Sequence, residues 1–259
     1  MVMQYDAVVL AGGVTPGELK KVAPYENEAL IIIGNYPMIY YIMNALRASS
    51  RVRRVCVCAP PSVREVLKQD SGLLFAEPGE DAIDSFINGL HRLQEEETTS
   101  KVLVLAGDIP FLTTEALDDF VSRCEATEAD FYYPVTSKQT NEAKFPGVNR
   151  TYVKLQDGTF TGGNLFVIRS SIVDQVVEMG KKQVANRKSP LAMARLLGIG
   201  LVWRYLCGQL NIQAVEKRFK KVMGITGISV VSPYAEVGVD VDKQSDLELA
   251  ERVLGQIMR

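Results

Sequence analysis

One carboxylate of this 259-residue chain stands where an open α/β sheet does its chemistry. The run Leu103-Val104-Leu105-Ala106 is apolar throughout and ends in Gly107-Asp108-Ile109-Pro110. Such a run needs cover on both faces, as a buried parallel strand has, and Gly-Asp-x-Pro takes the chain out of the sheet. Asp108 therefore falls at the carboxyl end of a central strand, where ligands bind. A single hard oxygen ligand there suits Mg²⁺, which keeps several waters and completes its shell from substrate phosphates. Capping a turn is the competing reading of Asp108. Asp240 and Asp242 are two apart, so in extended backbone they point the same way. One of them reaches a metal while the other, or Ser245 with Glu248, caps the next helix. The competing reading is that both merely begin that helix.

Near the start, Ala7-Val8-Val9-Leu10 is a short buried strand that breaks at Ala11-Gly12-Gly13. Two glycines after a first strand allow a tight turn whose N–H groups face a ligand's phosphates. Residues 14–17 read as a turn, and Leu19-Lys20-Lys21-Val22 as a mobile lid over the site. His91 is the only histidine, on the polar side of a predicted helix and four residues before Glu95, where an ion pair is expected. A histidine triad and a multi-histidine metal site are thereby set aside. The chemistry is left to carboxylates, lysines, backbone amides and metal.

Composition bounds the rest. A net charge of −2 gives no basic surplus for nucleic acid. Four cysteines without CxxC spacing point to a reducing compartment and away from structural zinc. Cys56 and Cys58 share one face of a strand and read as packing. The N-terminus lacks the order of a signal peptide, so a cytoplasmic protein is expected.

The elements that must position these residues alternate at roughly thirty-residue intervals, which means βαβ crossovers and a parallel sheet. Strands are predicted at 30–33, 55–59, 73–76 and 131–135, and helices after Pro37, at 62–68, at 82–95, and at 115–123 with Thr113 or Thr114 as cap. Residues 151–155 alternate, Asp157-Gly158 reads as a hairpin turn, and 165–168 as the partner strand of an antiparallel edge. The stretch 136–149 between them is polar. From 171 to 223 the pattern is helical. Its apolar part, 192–210, is interrupted by Arg195, Gly198, Gly200 and Arg204, short of the ~20 apolar residues of a spanning helix. With Lys181, Lys182, Arg187 and Lys188 ahead of it, this segment has the composition for contact with a membrane surface. An inserted helical cap that shapes a second-substrate pocket is the preferred reading. The chain then returns with strands at 228–231 and 236–242 and a helix at 245–258.

Taken in order, four segments carry a resemblance. They are Leu10-Ala11-Gly12-Gly13; Ala29-Leu30 through Gly34-Asn35-Tyr36-Pro37-Met38-Ile39; Gly107-Asp108-Ile109-Pro110-Phe111-Leu112; and Gly238-Val239-Asp240-Val241-Asp242 with Asp246-Leu247-Glu248-Leu249-Ala250. The chain resembles the nucleoside-triphosphate transferases of glycosyltransferase-A-like fold, a group that includes molybdenum-cofactor guanylyltransferase and methylerythritol-phosphate cytidylyltransferase. The resemblance implies a Rossmann-like three-layer α/β/α fold with a mainly parallel sheet. The α/β domain would span 1–170 and 226–259, with the helical insertion at 171–225.

It also implies a Mg²⁺-dependent transfer of a nucleoside monophosphate from an NTP to a small phosphorylated or hydroxylated acceptor, releasing pyrophosphate, with homo-oligomers allowed. Leu10, Ala11, Gly12 and Gly13 would hold the nucleotide. Asp108 and Asp240 would be metal ligands, and Glu77, Pro78, Gly79 and Ser85 would contact the base. Asn164, with Gly163 and Lys154, would lie on the acceptor side. One departure stands out: the family's lysine before Ala-Leu is here Glu28, an anion where negative charge accumulates. The family's basic residue of the first loop is also missing from Val14 to Leu19, and Lys20 or Lys21 would have to substitute for that one. Two alternatives follow, a nucleotide-binding protein of impaired catalysis and a nucleotide-sugar glycosyltransferase of the same fold.

Overall fold

The apolar runs at 7–10 and 103–106 lie in the middle of a nine-stranded sheet. A computed structural model describes residues 3–174, 176, 177 and 198–255. Its strands are β1 (Tyr5–Leu10), β2 (Ile32–Ile33), β3 (Tyr36–Pro37), β4 (Val52–Cys58), β5 (Leu74–Ala76), β6 (Lys101–Ala106), β7 (Phe131–Ser137), β8 (Val153–Leu155), β9 (Gly158–Gly162), β10 (Leu165–Arg169) and β11 (Gly227–Ser232). The helices are α1 (Gly17–Lys20), α2 (Met38–Ala48), α3 (Pro61–Leu67), α4 (Ala82–Gln94), α5 (Thr114–Glu125), α6 (Lys138–Lys144), α7 (Ile199–Leu206), α8 (Ile212–Met223) and α9 (Gln244–Leu254).

The main sheet runs β5-β4-β1-β6-β10-β7-β9-β8, with β11 also on β7. β5, β4, β1 and β6 are parallel, β10 is antiparallel to β6 and β7, and β11 is parallel to β7. Side-chain alternation along β1 builds the layers. Tyr5, Ala7 and Val9 pack with α2, α3 and α5, while Val8 packs with α4 across the sheet. Cys56 and Cys58 are fully buried on the α4 face, as packing residues should be. A separate apolar cluster lies beside the sheet. It joins Phe111, Val239 and Val241 to Leu247, Leu249 and Ala250 of α9 and to Ile31 and Ile33.

Several elements differ from expectation for local reasons. Residues 30–33 do not join the main sheet. Asn27 accepts from the Ala29 N–H and opens a 3-10 turn at Glu28–Leu30, leaving β2 to pair only with β3 across Gly34-Asn35. Gly34 sits at φ +62°, the left-handed region that favours glycine. The hairpin partner of β8 is β9, not 165–168, and the turn falls at Gln156-Asp157. β9 and β10 pair in succession with β7, and between them Gly163-Asn164 carries the chain across to β6. The polar stretch 136–149 contains α6, capped by Ser137.

Residues 236–242 are not a strand: Ala235–Gly238 is a 3-10 turn, and its continuation bonds to the β6 loop instead of a ladder. Lys243 holds the N-cap position of α9 without a side-chain bond, and Glu248 accepts from Gln244, so no Ser245–Glu248 capping box forms. Glu95 pairs with Arg92 and not with His91. Within the expected helix at 192–210, α7 ends at Leu206 ahead of Gly208 at φ +67°. Lys181, Lys182, Arg187, Lys188, Arg195, Leu196 and Leu197, and the end of the helix expected at 245–258, lie outside the described residues. Among the described residues no helix is long and apolar enough to cross a membrane.

Candidate active site

Three strand ends meet at one rim. Gly107 N–H donates to the Leu10 carbonyl at 2.8 Å, and Ala11 N–H to the Cys58 carbonyl at 2.9 Å, so the loops after β1 and β6 leave side by side. A Cβ on Gly107 would stand 2.7 Å from that Leu10 oxygen, which is why a glycine must precede Asp108. A Cβ on Gly12 would meet Pro78 Cβ at 2.7 Å, so the glycine loop lies against the Glu77-Pro78-Gly79 loop. Ser85 is committed to that loop: its hydroxyl accepts from Gly79 N–H at 2.9 Å and donates to the Asp81 carbonyl at 2.8 Å.

The acidic residues converge across a long gap in sequence. One carboxylate oxygen each of Asp108, Asp240 and Asp242 lies within 4.8 Å of the others. Val241 N–H donates to the Asp108 carbonyl at 3.0 Å, and Asn164 N–H to the Val237 carbonyl at 3.0 Å. Val239 and Val241, both buried, anchor the backbone on either side of Asp240. Asp108 Oδ1 is buried without a hydrogen-bond partner among the described residues. Arg150 donates to the Asp240 carboxylate and to the Gly238 carbonyl. With Asn149, Lys243 and Asp246, Arg150 lines a 350 Å³ pocket against Asp240 and Asp242. Asp242 as a third converging acid, Arg150 and Lys243 were not singled out from the sequence. Arg150 sits at the edge of a polar stretch with no motif around it.

Glu28 faces the same place. A Cβ on Gly13 would lie 1.8 Å from Glu28 Oε1, so the carboxylate sits directly under the glycine loop. Burial pushes Glu28 up to about 7, with the charges of Asp242 and Asp240 adding to it. Burial, then Glu28, Asp240 and Asp242, push Asp108 up to about 8. Asp242 is raised as well, by burial and by Asp240. Four acids repel one another here, and among the described residues Arg150 answers Asp240.

The remaining expected residues fall elsewhere. Lys20 pairs with Glu26 at 2.6 Å and Lys21 with Glu18 at 3.4 Å, so both lysines answer nearby acids of their own loop. The segment expected as a lid is pinned by Leu19, which is fully buried. Lys154 is exposed on β8 and alternates with Val153 and Leu155, which line an apolar cavity. Gly163 has no room for a Cβ, with Val237 O and Pro134 Cγ both at 2.8 Å. Asn164 Nδ2 is buried and unpartnered among the described residues.

The donor set suits a hard divalent cation. Carboxylate oxygens are what Mg²⁺ takes, and an orphaned buried oxygen on Asp108 is the expected mark of a ligand site. An α/β sheet with a glycine loop and converging acids at its carboxyl rim is the frame of a nucleotide-handling enzyme.

Comparison with known proteins gives the family. Residues 7–195 match the MobA-like NTP transferase domain, and the chain belongs to that family. It is 26% identical over 129 residues to a 2-C-methyl-D-erythritol 4-phosphate cytidylyltransferase of Pelodictyon phaeoclathratiforme, covering 45% of this chain. The aligned part spans about half, 52%, of that curated relative's length. Among solved structures, a hypothetical transferase from Thermus thermophilus superposes with a TM-score of 0.80 at 33% identity, covering 95% of this chain and all of that one. A 4-diphosphocytidyl-2C-methyl-D-erythritol synthase from Anaerococcus prevotii shares the fold at a TM-score of 0.62 and 12% identity, over 98% of this chain and 99% of its own.

Proposed function

We propose that this protein is a divalent-metal-dependent nucleotidyltransferase that moves a nucleoside monophosphate from an NTP to a small acceptor, with CTP the first nucleotide to test. The observation that carries the reading is the meeting of Asp108, Asp240 and Asp242 beside the Gly12-Gly13 loop. The family match and the cytidylyltransferase relative support it. Asp108, Asp240 and Asp242 would hold Mg²⁺, whose positive charge would screen the triphosphate and stabilise charge developing on it.

Each part of the chain then has a task. The N–H groups of Gly12 and Gly13 line the phosphates, and the loop Glu77-Pro78-Gly79, stiffened by Ser85, borders the base. Arg150 keeps Asp240 oriented beside its neighbours. Asn164, Arg150 and Lys243 border the acceptor side. An acceptor oxygen attacks the α-phosphorus in line. The new P–O bond forms as the bond to the bridging oxygen of pyrophosphate breaks, and that oxygen leaves with the electron pair. Positioning and charge neutralisation do most of this work, which suits a chain with one histidine.

Thermal shift with each of the four NTPs, with Mg²⁺ and with EDTA, tests the binding step, since a ligand of the folded state raises its stability by mass action. A Mg²⁺-dependent shift that Asp108→Ala abolishes supports the site; an unchanged shift in that variant removes the metal assignment. Pyrophosphate release across an acceptor panel separates nucleotidyl transfer from sugar transfer. A second reading has its own observation, the Glu28 carboxylate under Gly13: the protein binds nucleotide without transferring it. Tight NTP binding with no turnover, and turnover appearing in Glu28→Lys, would select that reading.

A further inference from the structure

An apolar cavity of 510 Å³ lies between the β7–β9–β8 edge and helices α7 and α8. Its wall includes Val135, Val153, Leu155, Val202, Leu210 and Val215, and the lining is almost free of polar atoms. Its size lies within the range of small-molecule sites. Thr161 belongs both to this cavity and to the 350 Å³ pocket that holds Arg150, Asp240 and Asp242, so the two spaces share a wall. Lining of this kind offers a ligand no hydrogen bonds and rewards only apolar surface. On the same helix α7, Trp203 and Leu206 are 64% and 72% exposed, so apolar character continues from the cavity to the outside.

We propose that the acceptor is amphipathic: a phosphate or hydroxyl group held at the Arg150–Lys243 pocket, joined to an alkyl chain or apolar ring system that fills the cavity under α7 and α8. The proposal rests on the nucleotidyltransferase reading for the identity of the polar pocket. The apolar site itself does not depend on that reading. A phosphorylated polyol or a sugar would leave the cavity wall without a partner. An alkyl phosphate satisfies both spaces at once.

Binding of the alkyl phosphate series from methyl to decyl, followed by calorimetry with and without CTP and Mg²⁺, tests this. Affinity should rise with chain length, by up to about fourfold per methylene while the cavity fills, the value of burying one CH₂. Val202→Trp and Val153→Trp fill the cavity from opposite walls, and Val153 is already 45% exposed, so its replacement spares the core. Each should reduce octyl phosphate affinity at least tenfold while leaving methyl phosphate and the CTP–Mg²⁺ thermal shift as in the parent protein. A flat series overturns the proposal, as does a rising series that neither variant changes. A dimer seen by sedimentation and split by Val153→Trp, with a flat series, would assign the cavity to a second copy of the chain and likewise overturn it. A rising series abolished by the variants, in a protein that shows no CTP response, would keep the apolar site and remove the nucleotidyl reading instead.

Discussion

Asp6 and Asp108 lie at opposite ends of two neighbouring parallel strands, and the chain treats them in opposite ways. Asp6, at the amino-terminal end of β1, is fully buried. It accepts from Arg53 Nε and Nη2 at 2.9 and 2.8 Å, Arg54 Nη2 at 2.8 Å, Thr98 Oγ1 at 2.9 Å and Thr99 N–H at 3.2 Å. Burial alone would raise its pKa, but these donors hold the carboxyl far below the usual carboxylate range. Asp108, just past the carboxyl end of β6, has an orphaned oxygen and three acidic neighbours, and its pKa moves up to about 8. One carboxylate has every bond it needs from its own chain. The other finds no such donors among the described residues, and that difference separates a structural acid from a candidate ligand.

The largest effect should come from breaking the satisfied end. Asp6→Ala leaves Arg53 and Arg54 facing a buried void, and losing one partner of a buried charge cluster typically costs about 3–5 kcal/mol. For a chain of this size that lowers Tm by on the order of 10 °C, read by thermal unfolding, with activity per folded molecule unchanged. A Tm within a degree of the parent would dissolve the contrast. Next comes the unsatisfied end. Asp108→Asn should reduce nucleotidyl transfer about 10²–10³-fold, the scale of one lost electrostatic contact to a transition state. At pH 8.5, where Asp108 is largely ionised, the same substitution should raise the stability of the metal-free protein, because it removes a repelled charge. Opposite signs in stability for two buried aspartates are the sharpest test of the comparison, and urea midpoints in EDTA measure both.

The pH dependence follows from the same pair of sites. Asp108 and Glu28 bind protons more tightly folded than unfolded. Their contribution is therefore present in full below about pH 4 and is lost as the pH rises through 7 and 8. Asp6 acts in reverse, stabilising above its unfolded value and losing that contribution only in strong acid. Metal-free protein should lose on the order of 2 kcal/mol between pH 5 and 8.5, after a discount for solvent screening. Saturating Mg²⁺ should flatten or invert the slope. A metal-free protein equally stable across that window would mean the acids are not coupled as their burial and spacing require.

The contrast was half legible in the sequence. Asp108 could be placed because the end of an apolar run is a local signal, and the glycines of Gly12-Gly13 because a break after a first strand is another. Asp6 carries no such mark: its partners lie 47, 48, 92 and 93 residues away, so only the folded sheet brings them together. Residues 236–242 misled for a related reason. Their alternation suits a strand, but Val241 N–H goes to Asp108 and the Val237 carbonyl to Asn164, bonds no local pattern encodes. The same non-local bonds bring Asp240 and Asp242 to Asp108. Glu28 was noticed as a departure from the family, but its position under Gly13 depends on the turn at Glu28–Leu30, which the apolar run at 30–33 concealed.

Glu28 gives the smallest effect and refines the comparison, because it tells how much of the acidic excess the site can use. With a pKa near 7, Glu28 is largely protonated at pH 6 and ionised at pH 8.5. If its charge only opposes the triphosphate, Glu28→Gln should leave Mg²⁺–CTP affinity unchanged at pH 6. At pH 8.5 it should improve affinity by up to about tenfold, which corresponds to one pKa unit of interaction. Titrating both proteins with Mg²⁺–CTP at the two pH values measures this directly. Weaker binding in the variant at pH 8.5 would mean that Glu28 is held as a ligand like Asp108. The glycine loop would then sit over a fourth metal-binding carboxylate where the family places a lysine, and the acids of this rim would act as one ligand set, not as three ligands and an obstacle.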